Sequence, residues 1–516
     1  MTFVAAIAAL TLLQPAPAAP PAPQYSVVWA VNAAQADMAT LPPERRPYVR
    51  YLYCFDGSKQ TWAAVSMALN TALSRSPFGV TPLDLHNGRL IRLNLAELAL
   101  SEEHAKNLHA VYDSLIDQDP YFHHLDWKIE NPKTVYTNWK GEKFSGRYVR
   151  FCTGAQPAIA VAYEQLKLET HCEAPLLVAE QFVIKSLSTI NGGKYYQFRG
   201  LRRLDGTAVF TLDQYLKDRG YDRAAAEKLG ALDRVAILFS GVTGKERAAE
   251  FFKGSGVAPS RGSGIGSVTF DVSEGQRRAA NSPFQNLLKS EFAASESIIE
   301  IANGYNEFAL WNAQGELQDE VPANGDGAIA VDGTIPHPYV PRLNPAVSCI
   351  RCHGPHDGWQ PVKNDVQEVL ATGRIRVAGD LAAGEKAVDD ETLNKLRGMY
   401  GGNLLFPLNA ARNSYADAVF RQSGKMSIPE ASDAMAGVFT RIDYSQVSPE
   451  KACQELGLSV PQGIKPERVI AAALPPKPLG DELFETLRQG RTLPRASWER
   501  IYGEALSRAV ASGAVK

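Results

Sequence analysis

The chain is organised around the stretch Ser348-Cys349-Ile350-Arg351-Cys352-His353, which contains the pattern Cys-x-x-Cys-His. Two cysteines three positions apart on one helical turn can reach the two vinyl groups on one edge of a porphyrin. The adjacent histidine then lies under the iron as its proximal ligand. The pattern therefore predicts one covalently attached haem c, with Cys349 and Cys352 as attachment residues and His353 as the iron ligand.

Three other interpretations of these residues stay open. Cys349, Cys352, His353 and His356 offer four ligands for zinc, but neighbouring Cys352 and His353 do not easily face one tetrahedral ion. A thioredoxin-like dithiol needs a βαβ context, whereas the upstream flank, Pro341 to Pro345, is typical of a loop. A disulfide between Cys349 and Cys352 would close a small, strained ring. Haem is the favoured interpretation.

Composition narrows the class of protein. The chain has 516 residues, which predicts about two to four domains. Apolar residues make up 45% and charged residues 21%, as in ordinary soluble proteins. The 54 basic and 56 acidic residues give a formal charge of −2 without any block of like charge. Nucleic acid and anionic membrane surfaces are therefore not expected as partners.

The N-terminal residues predict export. Phe3 to Leu13 is an apolar run about half as long as the ~20 residues of a membrane span, and an Ala- and Pro-rich stretch follows it. Ala16-Pro17-Ala18 fits a signal-peptide cleavage site, so the mature chain is expected to begin near Ala19, in the periplasm or outside the cell. No Lys or Arg precedes the apolar core, which departs from the usual signal. Export agrees with haem c, which bacteria attach outside the cytoplasmic membrane.

Four further cysteines are scattered along the chain. In an oxidising compartment they could form up to two disulfides, with three possible pairings, or remain buried thiols. These residues are Cys54, Cys152, Cys172 and Cys453.

Local patterns predict an α+β first part. Thr61 to Leu73 has apolar residues at helical spacing, and Arg89 to Leu95 alternates as a half-buried strand does. Ser101 is a good N-cap for a following helix. His104 and His109 on that helix are five positions apart, do not share a face, and are predicted to be solvated.

The middle of the chain gives weaker signals. Tyr148 to Phe151 and Tyr195 to Phe198 are rich in aromatic residues and are predicted to be strands. Thr211 is expected to cap a short helix. Asn303-Gly304 is a strong hairpin signal, which predicts an antiparallel meander that packs near the haem motif.

Helix-like patterns dominate after the motif. They cover Val362 to Leu370, Asp390 to Arg397, Tyr415 to Arg421, Ser432 to Phe439, Asp481 to Arg488 and Ala496 to Val510. The predicted fold class is therefore α+β and multidomain: a mixed α/β N-terminal part, a small antiparallel meander and a mainly helical haem c module. The predicted units are a signal peptide (1–24), an N-terminal α+β domain (25–145), a middle α+β domain ending in the meander (146–335), the haem c module (336–470) and a C-terminal helical tail (471–516).

At this point the chain resembles a family of uncharacterised secreted bacterial proteins that carry a single c-type haem motif. The resemblance implies haem c binding and electron transfer, but no established reaction. It rests on Ala302 to Trp311, the Gly315 turn, Asp319 to Pro322 and Ser348 to Gly354, with weaker similarity at Phe239 to Val242, Leu90 to Leu95 and Cys453 to Leu458.

Met426 is the predicted sixth iron ligand. It lies in a Gly- and Pro-bounded loop that resembles the distal loop of class I cytochromes, and a thioether opposite histidine suits an electron carrier. Met399 or His337 could fill the site instead. Met435, between two alanines within a helical pattern, is predicted to pack in the core.

The predicted function is electron transfer by an exported monohaem c-type cytochrome, rather than catalysis, with an unidentified redox partner protein. The first alternative is a haem-based sensor or gas-binding protein with an open sixth position. A haem peroxidase is another alternative, although the familiar two-haem peroxidases need a second Cys-x-x-Cys-His motif and the sequence has only the motif at Cys349 to His353. A zinc-stabilised binding protein is the remaining alternative.

Overall fold

The structure is a computed structural model. It describes residues 25–122, 128–129, 135–137, 143–145, 148–149, 157–229, 232–237, 247–252, 265–272, 292–320, 339, 343–353, 366–376, 385–400, 405–443, 445–478 and 480–515. Helices and mostly antiparallel sheets are mixed along the chain, which confirms the general α+β prediction.

The described α-helices run from near the N-terminus to the last residues. They are α1 (Val27–Ala39), α2 (Lys59–Ala68), α3 (Leu95–Leu98), α4 (Glu102–Asp113), α5 (Pro157–Thr170), α6 (Ala179–Leu187), α7 (Tyr195–Arg199), α8 (Leu212–Asp218), α9 (Arg223–Lys228), α10 (Val347–His353), α11 (Val366–Thr372), α12 (Asp390–Tyr400), α13 (Leu405–Gln422), α14 (Ile428–Asp443), α15 (Pro449–Leu456), α16 (Pro466–Ala473), α17 (Glu482–Arg488) and α18 (Arg495–Ala511).

The described strands form two larger sheets and four short pairs. They are β1 (Val49–Tyr53), β2 (Leu83–Leu85), β3 (Leu90–Asn94), β4 (Lys128–Ile129), β5 (Val135–Thr137), β6 (Lys143–Ser145), β7 (Tyr148–Val149), β8 (Leu176–Val178), β9 (Leu232–Ile237), β10 (Arg247–Phe252), β11 (Gly266–Val272), β12 (Phe292–Glu300), β13 (Asn306–Asn312), β14 (Leu317–Gln318), β15 (Arg374–Arg376), β16 (Glu385–Ala387), β17 (Gln446–Val447) and β18 (Leu493–Pro494).

The first sheet has four strands in the order β2-β3-β1-β8. Its strand β3 confirms the alternating pattern of Arg89 to Leu95. Strand β1 is antiparallel to β3 and parallel to β8, with Tyr53 opposite Val178. Because parallel neighbours point their carboxyl ends the same way, the residues that follow β1 and β8 meet at one edge.

The second sheet has six antiparallel strands in the order β14-β13-β12-β11-β10-β9. The predicted hairpin at Asn303-Gly304 joins β12 to β13 and is confirmed. Gly304 has φ +87°, and its N–H donates to the carbonyl of Ile301 at 2.8 Å. A Cβ at Gly304 would lie 3.0 Å from the Cβ of Ala418, so glycine also permits the close approach of α13.

The strand prediction for Tyr195 to Phe198 is wrong, because these residues form α7. Gly200 ends this helix in the left-handed conformation, with φ +71°. The hydroxyl oxygens of Tyr195 and Tyr196 accept hydrogen bonds from backbone N–H groups of β13, at 2.9 and 3.0 Å. Tertiary bonding of the two hydroxyls thus overrides the β propensity of aromatic residues.

Several helix predictions are confirmed. Thr61 to Leu73 is helical throughout, as α2 and a π-helical turn over its last five residues. Ser101 caps α4, and Thr211 caps α8 through a capping box. The six predicted helices after the motif correspond to α11, α12, α13, α14, α17 and α18.

Two apolar cores hold these elements together. The first core joins α2 and α6 to the six-stranded sheet, to α10 and to α14; it includes Leu69, Phe182 and Trp311. The second core joins α1, β1 and α5 to α15 and α18; it includes Val27, Tyr163 and Trp498, and extends to Val515. Both cores draw residues from more than one predicted unit, and the unit boundaries stay a prediction.

Among the described residues, no helix combines the length and apolarity that crossing a bilayer requires.

The prediction that His104 and His109 are solvated is wrong. Both rings are half-buried. The Arg50 guanidinium, which can only donate, bonds to His109 Nδ1 at 3.2 Å, so this nitrogen is an acceptor and the ring is neutral. Similarly, the N–H of Leu100 donates to His104 Nδ1 at 3.3 Å.

Acidification is expected to destabilise the protein through these two histidines. Burial lowers the pKa of each from 6.5 to about 4. Between these values the unfolded state binds protons that the folded state does not, so stability falls as the pH drops through this window. His109→Gln keeps an acceptor for Arg50 but cannot titrate. Its urea midpoint should fall less steeply than that of wild type between pH 6.5 and 4; parallel curves would contradict this explanation.

Candidate haem attachment site

The motif residues lie on α10, which follows a tight reversal of the chain. Ala346 adopts the left-handed conformation with φ +65°, which costs a non-glycine residue roughly 1 kcal/mol. The Ser348 hydroxyl accepts from the N–H of Asn344 at 2.9 Å and donates to the carbonyl of Tyr339 at 3.3 Å. These bonds fix the direction in which α10 leaves the loop.

The three motif side chains share one side of α10. At 3.6 residues per turn, Cys352 and His353 lie within about 60° of Cys349 around the helix axis. Cys349 is buried, whereas Cys352 and His353 are half-buried. Arg351 lies about 160° away from Cys349, on the opposite side. The helix therefore presents both thiols and the imidazole together, as the motif predicts.

Cys349 packs against the six-stranded sheet. Its Sγ donates to Glu296 Oε1 on β12 at 3.1 Å. Arg247 on β10 lies 3.9 Å from the other oxygen of Glu296 and pairs with Asp271 at 2.6 Å. The predicted contact between the meander and the motif segment is thus confirmed, and it places a charged pair beside the thiols.

Burial and charge keep the two thiols protonated. Burial, followed by the charge of Glu296, raises the pKa of Cys349 well above 9. Burial and Glu296 also raise the pKa of Cys352, although Arg247 opposes this. Both side chains are free thiols, so no disulfide joins them. Neither sulfur is activated as a thiolate, and both are unoxidised and thus present for thioether formation.

The opposite side of α10 contacts α14. Arg351 pairs with Asp433 at 2.6 Å and also donates to the hydroxyl of Ser432 at 3.2 Å. The Ser432 hydroxyl donates to the carbonyl of Ile350 at 3.4 Å. Since Asp433 is largely exposed, its ion pair adds little stability. These contacts set the orientation of α10 between the sheet and α14.

The candidates for the sixth ligand lie in different surroundings. Met435 is fully buried in the first core, which confirms its predicted packing role. Met399 and Met426 are partly buried against the same core. A Cβ at Gly424 would lie 3.0 Å from the ring of Trp62, so the loop that carries Met426 lies against α2. His337 and His356 lie outside the described residues.

The other predicted thiols can also be placed. Cys54, Cys172 and Cys453 are buried and free, so none of the three is in a disulfide. Cys152 lies outside the described residues.

No family model, curated protein or solved structure matches this chain. The likeness to secreted monohaem proteins therefore stays a prediction, based on the motif and its neighbouring residues.

Sequence reasoning missed Glu296 and Arg247. Glu296 lies between serines in a strand whose following residues, Ile298, Ile299 and Ile301, are apolar. A charged residue at an inward position of such a strand indicates a buried polar contact, and this signal could have identified it. Nothing local indicates that Arg247, 49 positions earlier in the chain, faces the same carboxylate.

Proposed function

We propose that this chain is an exported c-type cytochrome that binds one haem covalently and transfers electrons to a partner protein. The observation that supports this most strongly is the arrangement of Cys349, Cys352 and His353 on one side of α10, with both thiols free. The donor set fits haem c: two thiols for thioether bonds and one imidazole for iron. When bound, haem supplies a one-electron iron couple.

The residues around the motif have defined tasks in this proposal. Glu296 orients Cys349 through the 3.1 Å bond from its thiol, and Arg247 balances the charge of that carboxylate. Arg351, on the far side, fixes the rotation of α10 by pairing with Asp433. The first core excludes water from Cys349. Export, inferred from residues 1–24, would deliver the thiols to the compartment in which haem is attached.

A second candidate is a haem-based sensor or gas-binding protein with an open sixth position. One observation favours it: α14, which follows the Met426 loop, contacts α10 through Arg351 and the carbonyl of Ile350. The Arg351 side chain lies on the side of α10 turned away from Cys349 and His353. The loop that carries Met426 therefore leads into a helix that contacts the far side of α10, which favours a site that Met426 does not fill.

Optical spectra of protein matured with haem decide between the two functions. The electron-transfer proposal predicts a low-spin, six-coordinate iron in both oxidation states, with a spectrum that carbon monoxide does not change. Sensing instead predicts a high-spin ferrous spectrum that shifts when carbon monoxide is added. A preparation without haem would contradict both.

Met426→Ala tests the predicted sixth ligand. If Met426 coordinates, the variant loses the weak red ferric band typical of His/Met haem and its reduction potential falls. Met399→Ala is the matched control, since Met399 is also partly buried against the first core, and it should keep the band. A wild-type spectrum without this band would rule out methionine as the ligand.

His353→Ala should convert the haem spectrum to that of a five-coordinate or weakly ligated iron, because the proximal imidazole is lost. His356→Ala is expected to leave the spectrum nearly unchanged, since the sequence Gly354-Pro355 predicts that the chain turns away after His353. The comparison needs an absorption spectrum of each ferric protein. The reverse ranking would mean that the iron ligand is His356.

A further inference from the structure

A second cluster of metal-type ligands lies at the first sheet, apart from the haem motif. Cys54 follows β1 directly, and Glu180 lies in the first turn of α6, directly after β8. Because β1 and β8 are parallel, their carboxyl ends bring these residues together although they are far apart in sequence. Asp56 lies in the same βα connection as Cys54. Ligand sites in α/β sheets characteristically occupy such edges.

The ligand atoms of the three side chains lie as close together as the ligands of one metal ion do. Cys54 Sγ lies 3.0 Å from Asp56 Oδ1 and 4.0 Å from Glu180 Oε1. One ligand atom from each residue falls within 4.8 Å of the other two. Cys54 and Glu180 are buried, at 0% and 3% exposure, while the side chain of Asp56 is 28% exposed. The cluster is thus reached from solvent on the Asp56 side.

Glu180 carries an unsatisfied oxygen. Its Oε2 is buried and has no hydrogen-bond partner among the described residues. A buried carboxyl oxygen without a partner costs several kcal/mol, so a satisfied arrangement requires a partner other than the donors of the described residues. Ordinary core packing of a protonated Glu180 does not supply it, whereas a bound cation does.

Neighbouring residues hold Asp56 in place. Its Oδ1 accepts from the N–H of Ser58 at 2.9 Å and from the hydroxyl of Thr61 at 3.2 Å. Arg441 on α14 lies 3.6 Å from Oδ2 and donates to Thr61 at 2.9 Å. Such outer contacts orient metal-binding carboxylates in known sites.

The charges match a divalent ion. A metal ion displaces the protons of Cys54 and Glu180 when it binds. The resulting thiolate and two carboxylates then carry −3, and the contacting guanidinium of Arg441 leaves −2. The Lys451 ammonium is directed elsewhere, to the carbonyl of Arg441 and the hydroxyl of Ser445.

We propose that Cys54, Asp56 and Glu180 bind one divalent metal ion of the zinc class. One thiolate with two carboxylates favours Zn²⁺ over the harder Mg²⁺ and Ca²⁺, which take oxygen ligands. Three protein ligands leave a fourth position on the solvent side, by Asp56. Bound there, the ion joins the connection between β1 and α2 to the start of α6.

Zinc binding to the haem-loaded, chelator-treated protein tests this site. In that sample thioether bonds prevent Cys349 and Cys352 from binding zinc. Its haem iron content gives the concentration of chains. We expect one zinc per chain, with about one sulfur at about 2.3 Å in zinc-edge X-ray absorption. Cys54→Ser and the near-isosteric Glu180→Gln should each weaken zinc binding, measured by titration calorimetry, at least about 100-fold.

Cys453→Ser is the matched control, because Cys453 is also a buried free thiol but belongs to the second core. It should bind zinc as wild type does. The unfolding midpoints of the metal-free variants, measured in chelator, show whether a variant that binds no zinc is still folded. If Cys54→Ser does not fold, Glu180→Gln still tests the site. Absence of stoichiometric zinc, zinc without a sulfur neighbour, or affinity unchanged by Cys54→Ser and Glu180→Gln would overturn the proposal. If Cys54→Ser abolishes zinc binding, the zinc site is supported even in protein that contains no haem. The zinc proposal and the cytochrome proposal can therefore fail independently of each other.

Discussion

Protein that carries both Cys349→Ala and Cys352→Ala will contain no covalently bound haem. Wild-type protein should retain one haem per chain after acid–acetone extraction and stain for haem on a denaturing gel. The variant should lose that stain entirely, because thioether bonds are what survive denaturation. Since Cys349 packs in the first core, its replacement also removes a buried bond to Glu296.

Two controls separate attachment from general damage. Cys172→Ala and Cys453→Ala remove other buried free thiols and should keep the full haem stain. Haem-free wild-type protein that holds one zinc per chain at the motif would contradict the cytochrome proposal. Zinc binding by Cys349, Cys352, His353 and His356 would then replace it.

Glu307→Gln should cost about 3–5 kcal/mol of stability, the largest structural effect we expect, because it leaves buried guanidinium groups without their anion. Glu307 on β13 is fully buried. It pairs with Arg199, with Arg219 at 2.8 Å and with Arg75 at 3.4 Å. The hydroxyl of Tyr215 donates to it at 2.9 Å. Urea unfolding at neutral pH measures the loss.

The pKa of Glu307 indicates the pH below which this residue no longer stabilises the folded state. Burial alone would raise this pKa, but Arg199, Arg219 and Arg75 hold it well below the usual 4.5. A depressed carboxyl pKa stabilises the folded state above the unfolded pKa and loses that effect as the pH falls through the folded value. Its contribution should therefore be lost only in strong acid.

Glu102→Gln is the matched control, since Glu102 forms an exposed i,i+4 pair with Lys106 at 3.0 Å. Exposed pairs of this kind are worth about 0.5 kcal/mol or less. Equal losses for Glu307→Gln and Glu102→Gln would show that the three arginines do not depend on Glu307.

Local patterns predicted the elements whose formation is decided locally. The Asn303-Gly304 turn, the alternating β3 and the capped α4 all depend on residues within a few positions of one another. Tyr195 to Phe198 failed because its aromatic residues are used for hydroxyl contacts with a distant strand.

The haem motif and the Cys54 cluster likewise differ in how far the sequence predicts them. Cys349, Cys352 and His353 are adjacent, so their shared side of α10 follows from helical periodicity. The acid that meets the thiol, Glu296, is 53 positions away from Cys349, and Glu180 is 126 positions away from Cys54. The pairing of strands brings such distant residues together, and a single sequence does not show which strands pair.

The second core also constrains the order in which the chain folds. It joins α1, at the beginning of the described chain, to α18, at its end. A chain that emerges N-terminus first can cover α1 with β1 and α5 early, but it cannot complete this core until the residues of α15 and α18 have appeared. If the chain is exported as proposed, this delay helps to keep it unfolded while it is threaded through a translocation pore. Completion of the second core then marks the end of transit.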